Sequence, residues 1–321
     1  LRIIGGNGVD TFDIRGKIEN LLYDRKSDSN IIKNSSRSKN RFTLDQPTSS
    51  RNLLGFEYNT KHLPLFSAGY NTDDGYLLGA GFSKRTHGFR NLPYATDQKL
   101  SFLYSSRRAY QFHYRGEFNH ISRNADVLVK AKYSLPAIRN FFGLGNRTVS
   151  SPDKNNDFYR IRYKELELEA LFRHRYFERL HVAFGPYYYH YESKFSDNNN
   201  NILAKPRQVG LDSADIFSSK MYLGGKAVVS FDNRNNELFP TRGILWTNEL
   251  VAVAGMNSGS DKYSRISTDM TIYASQREPA KLIAVIRFGG GHIFGKNFEY
   301  FQALELGANN GLYGFRKNRY A

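Results

Sequence analysis

Apolar residues recur with a period of two along most of this chain, and helical spacing is rare. In Tyr110–Phe118 every even position is aromatic or glycine and every odd position is polar. Val127, Val129, Ala131 and Tyr133 oppose Asp126, Lys130 and Lys132, and Met221, Leu223, Ala227, Val229 and Phe231 oppose Tyr222, Lys226, Ser230 and Asp232. Such alternation gives a strand one apolar face and one wet face. The pattern predicts eleven strands, near 65–71, 75–87, 98–106, 109–118, 125–134, 158–175, 180–195, 219–232, 243–255, 263–276 and 281–294. Most exceed the roughly 5–6 residues usual in soluble sheets. They match the roughly 9–11 that a tilted strand needs to cross a bilayer.

The phase changes inside Tyr159–Phe172. Tyr159, Ile161 and Tyr163 are odd and apolar, whereas Leu166, Leu168, Ala170 and Phe172 are even, opposite Glu165, Glu167 and Glu169. A β-bulge near Lys164-Glu165 would restore one continuous face. Charges of both signs on the polar face suit a water-filled lumen. Tyr187, Tyr188, Tyr189 and Tyr191 fit an interfacial aromatic girdle.

The connections carry a second signal. Long ones, at 135–157 and 196–218, alternate with short ones at 176–179 and 277–280, and 233–242 falls on the short side. Long loops on one side and short turns on the other are the habit of outer-membrane barrels. The expected fold is therefore all-β, an antiparallel transmembrane β-barrel.

Composition narrows the function. The chain has 321 residues and no cysteine, which removes disulfide scaffolds, thiolate zinc sites and cysteine catalysis. No window nears the roughly 18 apolar residues of a membrane helix. The chain opens on Leu without a signal-peptide pattern and reads as a piece of a longer protein. Its net charge is +16. Aromatic interleaving is absent from the basic stretch 24–51, so that stretch reads as a linker or periplasmic entry segment, with no nucleic-acid partner. The eight His are scattered, without H-x-x-x-H or HExxH spacing, and no phosphate loop or nucleophile elbow is present. The segment is read as non-catalytic.

Two motifs are familiar. Asp232-Asn233-Arg234, followed by Phe239-Pro240-Thr241-Arg242-Gly243, resembles the D-x-R…F-P-T-x-G turn of the bacterial surface-antigen barrels, the superfamily that includes BamA and TamA. After the strand that follows this turn and two more, Leu312-Tyr313-Gly314-Phe315 resembles the V-R-G-F/Y tip of that family's sixth extracellular loop, which folds into the lumen. Tyr313 stands where the family has the Arg that contacts acidic groups on the barrel wall; Arg316 or Arg319 is the candidate replacement. The resemblance spans about residues 52–321 and implies a sixteen-stranded barrel, with about five strands lying beyond Ala321. It thus divides the chain into a short β/linker segment, 1–51, and a partial barrel, 52–321. It also implies residence in the bacterial outer membrane, contact with lipid and lipopolysaccharide, and client outer-membrane proteins or accessory lipoproteins as partners. Asn71–Gly75, His87–Tyr94 and Asn140–Asn146 are similar to a Bacteroidota-type branch in which a calcineurin-like metallophosphoesterase often precedes the barrel. Three functions follow: assembly or translocation of other proteins, an anchor or conduit for an upstream phosphoesterase, or a diffusion porin, which a plugged lumen disfavours.

Gly5-Gly6-Asn7-Gly8-Val9-Asp10-Thr11-Phe12-Asp13 fits the calcium-binding nonapeptide G-G-x-G-x-D-x-U-x, with Asp10 as the candidate calcium ligand. One copy makes no stack, so a plain glycine turn with no cofactor is the competing reading.

Overall fold

The computed structural model describes residues 1–5, 8–15, 19–33, 38–42, 61–71, 74–88, 91–122, 125–145, 147–148, 150–151, 153–176, 179–209, 211, 216–277, 279–295, 298–307, 314–315 and 318–320. The chain divides into two units, Leu1–Asn59 with Gly88–Leu92, and Thr60–His87 with Pro93–Ala321.

The first unit is a parallel coil. Its strands are β1 (Arg2–Ile4), β2 (Thr11–Asp13), β3 (Asn20–Tyr23), β4 (Ile31–Lys33) and β5 (Ser38–Asn40). β1, β3 and β5 pair side by side, all parallel, and β2 pairs with β4 in the same sense. Arg2 lies beside Leu21, Asn20 beside Ser38 and Thr11 beside Ile31, so each circuit of the coil takes 18 to 20 residues, and stacked circuits of this kind share a core. Phe12, Ile14 and Leu22 are buried there, with Ile3, Ile32 and Phe42 packed around them. β4 and β5 fall within the stretch 24–51, whose composition reads as a linker. Three-residue strands are too short to show a period.

The second unit is an eleven-stranded antiparallel meander, each strand beside its sequence neighbour. The strands are β6 (Lys61–Asn71), β7 (Gly75–Gly88), β8 (Asn91–Ser105), β9 (Tyr110–Ser122), β10 (Ala125–Asn140), β11 (Arg160–Tyr176), β12 (Leu180–Glu192), β13 (Ser219–Asp232), β14 (Gly243–Gly255), β15 (Tyr263–Ser275) and β16 (Ile283–Phe294). The sheet is open: among the described residues β6 and β16 each pair on one side only. Backbone groups along those two edges have no ladder partner, whereas a membrane-spanning sheet needs every one satisfied.

The expected bulge lies elsewhere. β11 runs without interruption against β12, from Lys164 opposite Glu192 through Glu169 opposite Tyr187. The register shift is in β10, where Ser134 faces Glu165 but Ala137 faces Tyr163. Leu135 and Pro136 together stand opposite the single residue Lys164, which makes one extra residue in β10, and Pro136 has no N–H to give a ladder. The odd positions of β11 thus face one side throughout. Along that side the chemistry changes from Ile161 and Tyr163 to Glu165, Glu167 and Glu169, while the face stays the same.

The tyrosine girdle is corrected in the same way. Tyr187, Tyr189 and Tyr191 are buried on the inner face of β12 and only Tyr188 is on the other side. Tyrosines that fill an interior and tyrosines that sit at a lipid interface look alike in sequence. The outer face instead carries exposed Phe102, Phe112, Leu168, Phe172, Phe184, Leu223, Trp246, Leu250 and Ile266, as lipid contact requires.

Candidate functional site: the inner face and the segment packed on it

The inner face has two zones. Midway along the strands lies a ladder of opposite charges. Lys130 of β10 meets Glu167 of β11 at 3.2 Å, and Lys132 meets Glu165 at 2.6 Å. Lys226 of β13 bridges Glu169 of β11 and Glu249 of β14, each at 2.9 Å. Its register partner on β12, the strand it reaches across, is Gly185, which has no side chain to obstruct it. Arg265 of β15 continues the ladder to Glu249 at 3.3 Å, and Arg287 of β16 meets Asp269 at 2.5 Å. Nearer the short turns, Arg173 and Arg175 converge on fully buried Asp126 at 2.8 and 2.7 Å. Each buried charge is matched by its opposite, as the cost of desolvating an ion demands.

Toward the long connections the same face turns aromatic. Tyr163, Tyr187, Tyr189, Tyr191, Tyr222 and Tyr263 are buried in one cluster with Phe141, Ile161, Val251 and Val253. These side chains fill the face because a second layer lies on them. After β16 the chain returns, and a 3-10 turn, Tyr300–Gln302, is buried against the cluster. The Phe301 ring stacks on Tyr191, 4.0 Å between centroids and 12° between planes. Tyr300 packs 5.1 Å from Phe141, and its hydroxyl bonds to that of Tyr191. A reciprocal capping box between Glu299 and Gln302 satisfies the turn's own backbone.

Two ion pairs fasten this segment to the wall. Arg139 of β10 pairs with Glu305 and donates to the Phe301 carbonyl at 3.1 Å. Lys220 of β13, fully buried, pairs with Glu299 at 2.7 Å. Leu306 and Tyr320 then exchange two backbone hydrogen bonds, of 2.9 and 3.0 Å, which closes the returning loop.

The loop motif can be placed only in part. Leu312, Tyr313 and Arg316 lie outside the described residues. Gly314 has φ +88, a conformation suited to glycine, and Phe315 packs 5.7 Å from Tyr320. Arg319, one of the two candidate replacements, donates to the Thr148 hydroxyl at 2.9 Å and its carbonyl at 2.7 Å, with its guanidinium over the Phe142 ring. Thr148 lies in the connection between β10 and β11, so Arg319 ties loop to loop. Among the described residues the loop is also bound to the wall by a pair in which the wall supplies the cation, Arg139, and the loop the anion, Glu305. Neither residue stands out in the sequence, since they lie far apart and belong to no motif.

The turn motif is described in full. Arg234 grips Asp232 through two bonds, of 2.9 and 2.7 Å, and reaches on to the Glu237 carbonyl. That pairing, chiefly its hydrogen bond to Asp232, holds the Arg234 guanidinium above its ordinary range. Thr241 is bound through its hydroxyl by Asn235, which also accepts from the backbone N–H groups of Thr241 and Arg242. Asn233 and Asn236 accept from Ile244, Leu238 and Phe239 in the same manner. Sequence reasoning passed over these three asparagines, although Asx turns are their usual work. Gly243 has φ +114, and a Cβ there would lie 2.6 Å from the Arg234 backbone. Pro240 leads into that bend, and Phe239, 80% exposed beside an equally bare Leu238, presents an apolar tip.

Comparison with known proteins agrees with this architecture. No curated protein matches the sequence. Among solved structures, BamA from Haemophilus ducreyi lacking POTRA domains 1–3 superposes with a TM-score of 0.55 and 12% sequence identity. The superposition covers 81% of this chain and 47% of that one, so the chain spans just under half the length of that BamA chain. At that identity the likeness concerns the fold. The Omp85 superfamily domain matches residues 66–321, and the chain therefore belongs to the Omp85 superfamily of bacterial outer-membrane β-barrels.

Proposed function

We propose that this chain is the barrel part of a machine that inserts or translocates other proteins at the outer membrane. The observation that supports the reading is the filled inner face. Segment 299–306 occupies it through Phe301, Tyr300, Glu299 and Glu305, which suits a barrel whose wall moves while its interior stays braced and does not suit a diffusion porin. In this reading the seam of the closed barrel opens and templates a client strand by β-augmentation. The braced segment keeps the remaining strands in register. Client outer-membrane proteins, accessory lipoproteins and lipopolysaccharide are its partners.

Depletion in the parent bacterium tests the reading. Folded levels of unrelated outer-membrane barrels are expected to fall together as the protein is withdrawn. The competing reading, a Bacteroidota-type barrel that anchors an upstream metallophosphoesterase, predicts unchanged levels of other barrels and loss of a surface or periplasmic phosphoesterase activity. Steady large conductance of the full-length protein in planar bilayers would favour the porin and overturn both.

A further inference from the structure

The glycine-rich stretch, described at Gly5 and at Gly8–Asp10, does not stand alone in the folded chain. The next circuit of the coil lays a second turn, 24–30, directly against it. Gly5 N–H donates to the Tyr23 carbonyl at 2.9 Å, Ile31 N–H to the Asp10 carbonyl at 2.9 Å, and Asp10 N–H to the Asn30 side chain at 2.8 Å. The second turn reads Asp24-Arg25-Lys26-Ser27-Asp28-Ser29-Asn30 and has no glycine, so no repeat search would pair it with the first.

We propose that these two stacked turns clamp one hard divalent cation, of which calcium is the representative, between the carboxylates of Asp10 and Asp24. Asp24 is fully buried, at 0% exposure. Its Oδ1 accepts the Arg25 N–H at 2.7 Å, whereas its Oδ2 has no hydrogen-bond partner. A buried carboxylate oxygen left without a partner is costly, and this one is aimed at the other turn. The point where a Cβ would stand on Gly5 lies 1.9 Å from Asp24 Oδ2 and 2.7 Å from Asp10 Oδ2. Glycine at position 5 is what lets the two acidic oxygens converge. Like charges so close repel unless a positive charge lies between them.

The chemistry of the surroundings selects the ion class. Asp28, on the same turn, has a second buried oxygen without a partner, which deepens the negative field. Among the described residues no three His, Asp or Glu side chains come together as a ligand set. The remaining oxygens must therefore be backbone carbonyls and water. An all-oxygen site of mixed donors, with six to eight positions to fill, suits calcium. With no His or Cys among the described residues of the two turns it does not suit zinc or copper. A cation held between circuits joins them where, among the described residues, six side chains form the core.

The experiment uses the full chain folded in detergent micelles, stripped with EDTA and titrated with calcium chloride by calorimetry near neutral pH. One binding event is expected. Asp24→Asn and Asp10→Asn should each weaken it by about tenfold or more, the scale of removing one charged ligand. Asp13→Asn is the control, since Asp13 pairs with Arg15 on the surface and should leave binding unchanged. Proteolysis of residues 1–42, with and without calcium, is the second readout, because Asp24→Asn relieves the repulsion and should protect the unit without calcium. Absence of calcium binding by the wild-type chain would overturn the proposal. So would binding that survives both substitutions. Stability that ignores calcium but rises on acidification would also overturn it, by showing that a shared proton joins the carboxylates.

Discussion

Arg139 and Glu305 carry the most consequential single contact. The pair is largely shielded from solvent, with side-chain exposures of 12% and 15%. Removing one member of a buried pair strands the other and costs about 3–5 kcal/mol, far more than an exposed pair is worth. Arg139→Ala is therefore expected to lower the temperature at which the folded form is lost, read as heat-modifiable gel mobility. Glu305→Ala should do much the same, and the double variant should be little worse than either single one. Full additivity would mean that the two side chains act independently. Phe301→Ala should cost a similar amount, about 3–5 kcal/mol, through loss of a buried ring. None of these residues was legible in the sequence. Glu305 and Arg139 are ordinary charges 166 positions apart, and a periodic pattern says which face a residue occupies but not what crosses the interior to meet it.

At the scale of elements, the strands were the most legible part of the chain. Alternation is a local property, and a long strand between lipid and lumen repeats it many times. All eleven predicted strands have counterparts in the sheet. The errors occurred where two causes produce one pattern. Ile161 and Tyr163 are apolar because segment 299–306 covers that end of the face, and the phase change they create resembles a bulge. The actual bulge, at Leu135 and Pro136, is silent because both flanking stretches alternate normally. The turn 233–242 was legible through Pro240 and Gly243, while its asparagine scaffold was overlooked. Gly243→Ala places a Cβ against the Arg234 backbone at positive φ. It is expected to slow folding into micelles and destabilise the barrel by about 1–3 kcal/mol. Gly290→Ala, where nothing lies within 4 Å, should be tolerated. Equal effects from the two substitutions would remove the case for a strained turn.

Viewed as a whole molecule, many of the 46 basic residues are matched by carboxylates and add nothing to the net +16. The lumen ladder consumes Lys130, Lys132, Lys226, Arg173, Arg265 and Arg287 against their own carboxylates. That part of the basic count is structural and offers nothing to an outside partner. Arg139 and Lys220 are spent likewise on the returning segment. In the amino-terminal unit Arg15 and Lys39 are likewise paired, with Asp13 and Glu19. The coil of that unit was the least legible feature, because strands of three residues have no period and its second turn shares no motif with the first.

Segment 299–306 lies on the inner face and holds it. The chain contains no cysteine, so an introduced pair can be read without background. Tyr191→Cys with Phe301→Cys replaces two rings that stack at 4.0 Å. A short bismaleimide applied to the protein in its native outer membrane should join them efficiently and give a species of altered gel mobility. Tyr188→Cys with Phe301→Cys, on the lipid side of the same strand, should stay unjoined. Cross-linking of the second pair but not the first would place the segment outside the lumen.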